Sequence, residues 1–166
     1  MKSKKITKVS ILVLCFLVPV LISMSYFIFR HFAPFGNSSV MTVDLGQQYI
    51  DFFTNYHDTL LHSPSGFLFS FSKALGGDML GTWAYYLMSP LNLIMLLFPL
   101  SKLPSVLGII TILKYGLAGL SFGYFLMKVT KHVGWSIVGF AASYSMMGWI
   151  VANQFNMLWT DVLFVL

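Results

Sequence analysis

An all-α, polytopic transmembrane helical bundle is the architecture implied by this amino-acid sequence, and three observations imply it. Of 166 residues, 57% are hydrophobic and 9% charged, 15 charges in all, where a soluble domain of this length carries about 41. The apolar residues are gathered into runs long enough to cross a bilayer core of about 30 Å. Four of the ten basic residues, Lys2, Lys4, Lys5 and Lys8, precede the first run and the other six are scattered singly. The formal net charge of +5 is therefore a topology signal, not the basic stripe of a nucleic-acid-binding protein. No nucleic-acid partner is expected; the lipid bilayer is. The one cysteine, Cys15, excludes an internal disulfide framework and a cysteine-built zinc site.

The first span is expected over residues 9–29, free of charge between Lys8 and Arg30. It is too long for the apolar core of a signal peptide, and no small-x-small site follows it. The basic start places the N-terminus in the cytoplasm. An outer loop follows over residues 31–84. The run 85–100 is only 16 residues long and contains Pro90 and Asn92, which suits a re-entrant segment or a short span. Full spans are expected over 105–127 and 133–152, with the start of a further one at 162–166. If 85–100 does not cross, Lys128 and Lys131 fall in the cytoplasm, and both Asp44 and Asp161 face outward. If it crosses, those lysines fall outside. The positive-inside rule favours the first arrangement.

The outer loop is rich in aromatics. Gln47 to Leu61 reads as an interfacial amphipathic helix, with Tyr49, Phe52, Phe53, Tyr56 and Leu60 on one face and Gln48, Asp51, Asn55 and Asp58 on the other. All five acids in the chain are aspartates, and Asp44, Asp51 and Asp58 are spaced by seven. Gly46 interrupts helical continuity, so Asp44 reads as an N-cap just before the helix. Asp51 and Asp58 read as solvated polar-face residues. Gly76-Gly77-Asp78 reads as a turn.

Lys114 lies at least nine residues from either end of the run 105–127. A charge there is costly and marks a site in the bundle interior, with snorkelling as the competing reading. Gly119 and Gly123 on the same helix permit close helix approach. Asn153, Gln154, Asn156, Trp159 and Asp161 form a polar and aromatic cluster at the outer end of the span 133–152. An Asp161 carboxylate at the membrane surface calls for a partner, a metal or a substrate.

Four stretches carry a resemblance: Asp44-Leu-Gly-Gln-Gln-Tyr49, Leu75 to Asn92 with its Leu-Gly-Gly and Ser-Pro-Leu-Asn ends, Leu113-Lys-Tyr-Gly-Leu-Ala-Gly119, and Gln154-Phe-Asn-Met-Leu-Trp-Thr-Asp161. In this order they resemble the N-terminal portion of YfhO-type bacterial membrane proteins. The resemblance implies a GT-C-like fold and a multi-pass protein of the bacterial plasma membrane. It implies an inverting glycosyltransferase that takes sugar from a polyprenyl-phosphate donor and delivers it to a cell-envelope polymer such as lipoteichoic acid. Such enzymes carry a catalytic aspartate in the first outer loop, which Asp44 matches, and a second acidic site in a later outer loop, which Asp161 matches. Family members are several times longer, so these 166 residues are expected to be a fragment or a truncated gene product, inactive alone.

On this reading Asp44 is the general base for the acceptor hydroxyl. Asp161, Lys114, Asp51 and Gln48 bind substrate and donor, with Lys114 neutralising donor phosphate. Asp161 is also the one candidate ligand for a divalent metal such as Mg or Mn. Two rivals stand beside it. A transporter or permease component would use Lys114 and the Pro90 break as a substrate path. A non-catalytic membrane assembly subunit would use neither.

Overall fold

The computed structural model describes residues 7–73 and 75–164. Lys2, Lys4 and Lys5, expected to set the orientation, lie outside the described residues, as do the last two positions of the run 162–166. Helix α1, Lys8–Phe29, starts from Thr7, whose hydroxyl accepts from the Ser10 amide, a polar side chain closing an otherwise unpaired helix start. A π-helical turn, Leu45–Tyr49, runs directly into α2, Ile50–Leu61. A hairpin of two-residue strands follows, β1 Phe69–Ser70 against β2 Gly77–Asp78. Next come α3, Leu80–Thr82, a second π-helical turn, Trp83–Leu87, and a 3-10 helix, Pro90–Leu97. The long helix α4, Leu103–Thr130, is followed by α5 Trp135–Ser145, α6 Gly148–Ala152 and α7 Met157–Val162.

Among the described residues three stretches are long and apolar enough to cross a membrane, Lys8–Phe29, Leu100–Thr130 and Trp135–Ala152, or four if the bent pair Leu80–Leu87 and Pro90–Leu97 counts as one span. The run 85–100 does not form one straight helix. Leu80–Leu87 and Pro90–Leu97 meet at 93°, because Pro90 supplies no amide hydrogen and forces Ser89 into an extended conformation (ψ 127°).

Helix α4 lies antiparallel on α1 through a stripe of glycines. Gly108 meets the Ala33 carbonyl, Gly116 meets Phe16 and Val20, and Gly119 and Gly123 both meet Cys15. Where lipid surrounds both helices, close van der Waals packing replaces hydrophobic burial as the attraction, and small residues permit it. The contacts place the end of α1 beside the start of α4. At the opposite end Ile11, Cys15, Met127, Ile137 and Ala141 form one buried cluster that brings in α5. The larger core joins the loop to the first half of α4, with Tyr49, Phe53, Trp83 and Leu87 packed against Leu103, Leu107 and Ile110.

The amphipathic helix differs in one detail from its expected pattern. Tyr49, Phe53 and Tyr56 are buried, but Leu60 is exposed and Thr59 is buried in its place. The turn Pro64–Phe67 folds back so that Gly66 rests against the Thr59 side chain, covering that flank of the helix and leaving Leu60 outside.

Candidate functional site

Asp44 is not a cap. Its own backbone is helical (φ −61°, ψ −35°) and its side chain makes no capping hydrogen bond. Gly46 does not break the helix, because its bare Cα lets the Met41 carbonyl approach inside the π-helical turn. Such turns insert an extra residue, and they recur at functional sites. Immediately before Asp44, the β-branched Val43 is held at φ 49°, a left-handed conformation that costs such a residue about 1–3 kcal/mol. The half-buried Asp44 carboxylate thus emerges from a strained entry into α2. Among the described residues it has no ion-pair partner.

Gln48 and Asp51 are exposed on the same helix. Asp51 lines a groove against the hairpin with Lys73, while Gln48 precedes it by three residues. No hydrogen bond or ion pair joins Asp44, Gln48 or Asp51 to Asp161 among the described residues.

Lys114 and Asp161 are brought together. Lys114 Nζ lies 2.7 Å from Asp161 Oδ1, with the two side chains 3% and 17% exposed, and it also donates to the Met157 carbonyl at 2.7 Å. Lys114 therefore points into the bundle and does not snorkel. Lys114 borders a void of about 10 Å³ together with Thr111, Tyr115 and Thr160, room for about one water molecule. Two further bonds fix the same segment. Tyr49 donates its hydroxyl proton to Asn156 Oδ1 at 2.7 Å, and Tyr115 donates to Gln154 Oε1 at 3.1 Å. Burial pushes the Tyr49 phenol far above its ordinary range, so it keeps its proton and remains a donor. The 153–161 segment is in this way bound to both the loop and the centre of α4.

The metal reading of Asp161 does not fit these residues. Its Oδ1 is neutralised by Lys114, and no group of three His, Cys, Asp or Glu side chains is placed to hold an ion among the described residues.

Three participants escaped the sequence reading. Tyr49 reads as one more ring in an aromatic stripe, yet a buried tyrosine hydroxyl among phenylalanines needs a partner, and that need was the available signal. Tyr115 follows the same rule. Lys73 carries no local signal, because only the hairpin turns it toward α2.

A family model described as bacterial membrane protein YfhO matches residues 15–166. No curated protein and no solved structure matches the chain.

Proposed function

The chain belongs to the YfhO family of bacterial membrane proteins, and from that premise we propose that it serves a membrane-embedded, GT-C-type glycosyltransferase. Sugar passes from a polyprenyl-phosphate donor to a cell-envelope polymer such as lipoteichoic acid, on the outer face of the membrane. The observation that carries this reading is Asp44. It is a half-buried carboxylate without an ion-pair partner among the described residues, delivered by a strained residue and a π-helical turn at the head of the loop helix. Backbone strain of this kind persists where the surrounding structure over-determines it, commonly at active sites.

In the proposed step Asp44 takes the proton from an acceptor hydroxyl. The acceptor oxygen bonds to the anomeric carbon as the bond from that carbon to the donor phosphate oxygen breaks. The phosphate leaves with the electron pair, and the configuration inverts. Phosphate departs without protonation, so one carboxylate suffices, where glycoside hydrolases need two. Gln48 and Asp51 supply hydrogen bonds to substrate hydroxyls. Lys114 and Asp161 enter as a pair. A donor phosphate reaches Lys114 only by displacing Asp161, which is then free to accept from the acceptor. No step is routed through a metal.

The test is donor-dependent glycosylation in membranes from cells carrying the intact gene. Asp44→Asn keeps the shape and removes the base, so transfer falls by about 10²–10⁴-fold. Retained activity in that variant rejects the assignment.

One observation favours a permease component instead. The 93° break between Leu80–Leu87 and Pro90–Leu97 leaves Ser89 Oγ and Asn92 Oδ1 buried and unpaired, and broken helices line transport sites. Substrate flux in sealed vesicles without sugar transfer is the outcome that selects it.

A further inference from the structure

A groove of about 380 Å³ runs between α2 and the β1–β2 hairpin, within the size range of small-molecule sites. Asp51, Phe52 and Asn55 form one wall, and Ser70, Ser72 and Lys73 form the other. Thr82 closes the floor. It is only 7% exposed, and its hydroxyl makes no hydrogen bond among the described residues. Asp51 has no ion-pair partner there either. Asn55 Oδ1 accepts from Thr59, which leaves its amide group free to donate. Lys73 gives one of its three protons to the Asp78 carbonyl and keeps two.

The chemistry of these walls is specific. A carboxylate, an amide and hydroxyls suit a ligand with several hydroxyl groups, because a hydroxyl both donates and accepts. Phe52 offers an apolar face beside them. A lysine set across from the carboxylate adds one point of anion binding, worth more than a neutral hydrogen bond. Phe52 packs on Tyr86 (ring centroids 4.7 Å apart) and Tyr86 packs on Tyr49 (5.0 Å). One aromatic wall therefore leads from the groove to the Tyr49–Asn156 bond.

We propose that this groove binds the acceptor, through a phosphate-bearing polyol or sugar unit whose anion meets Lys73 and whose hydroxyls meet Asp51, Asn55 and Thr82. The assignment rests on the glycosyl-transfer reading and adds to it the place in the fold where the acceptor is held.

The experiment is calorimetric titration of the chain in nanodiscs of zwitterionic lipid, with no donor present. The probes are a tri(glycerol phosphate) and a neutral glycerol trimer. The phosphorylated probe binds more tightly, and its affinity falls with salt. Lys73→Gln weakens it about tenfold or more and leaves the neutral probe unchanged. Asp51→Asn and Thr82→Val weaken both probes. Equal binding of the phosphorylated probe to wild type and Lys73→Gln overturns the proposal, as does absence of binding. Its displacement by phosphatidylglycerol added to the discs also overturns it, giving the groove to a lipid headgroup. Binding needs no turnover, so the two readings fail separately. An active Asp44→Asn protein that binds the probe rejects the catalytic base alone, and an inactive one with indifferent groove variants rejects the groove alone.

Discussion

The Lys114–Asp161 pair shows how far single residues can be read. A charge in mid-span requires a partner, and an aspartate at the membrane surface requires one too, so both needs were visible in the sequence. That each answers the other was not, because the residues are 47 positions apart and only the return of α7 to α4 joins them. Desolvating two charges is expensive, and breaking such a pair costs about 3–5 kcal/mol because one charge stays buried alone, whereas replacing both with apolar groups is often neutral. Lys114→Met and Asp161→Leu are therefore each expected to lower the unfolding midpoint in detergent, and the double variant to recover most of the loss. Sugar transfer separates packing from substrate binding. If the pair only fixes the 153–161 segment, the double variant regains transfer along with stability. If Lys114 also receives the donor phosphate, stability returns and transfer does not.

At the scale of elements, the spans were legible because long apolar runs holding at most one charge have few alternatives in water. The π-helical turns were not. Gly46 reads as a helix breaker by propensity, yet its bare Cα lets the carbonyl of Met41, five residues earlier, approach closely, so it stays within the helical turn. The two turns face each other through Tyr49 and Tyr86, so they are fixed by packing against one another. The Gly119–Gly123 spacing is by contrast a common pattern whose use could only be settled by its neighbour. Both glycines pack on Cys15, and a Cβ at either would collide with it. Gly119→Leu and Gly123→Leu are expected to cost about 1–3 kcal/mol each through overpacking, read as a loss of thermal stability in detergent. Gly139, which meets nothing within 4 Å, should accept alanine with little change. Equal tolerance at all three positions would mean that α1 and α4 do not meet along this stripe.

For the whole molecule, the arrangement of helix ends decides which chemistry can share one side of the membrane. Phe27, near the end of α1, packs with the loop core and the first half of α4, while Cys15 packs with its second half. The segment from Arg30 to Lys102 therefore leaves and re-enters on one side, with the broken pair Leu80–Leu87 and Pro90–Leu97 making a bend of 93°. The α5–α6 stretch then returns to that side, because Asn156 reaches Tyr49. Lys128 and Lys131 are left at the opposite end, where the positive-inside rule puts the cytoplasm. This geometry makes a labelling prediction. In a Cys15→Ser background, cysteines at Thr42 and Asn153 should both react with a membrane-impermeant maleimide added outside intact cells. A cysteine at Lys131 should react only after the membrane is opened. Labelling of Lys131→Cys from outside would turn the bundle over, place Asp44 with the cytoplasm, and remove the outer-face donor from the mechanism. Opposite labelling of Thr42→Cys and Asn153→Cys would separate Asp44 from Asp161 by a bilayer, and no single groove could then serve both.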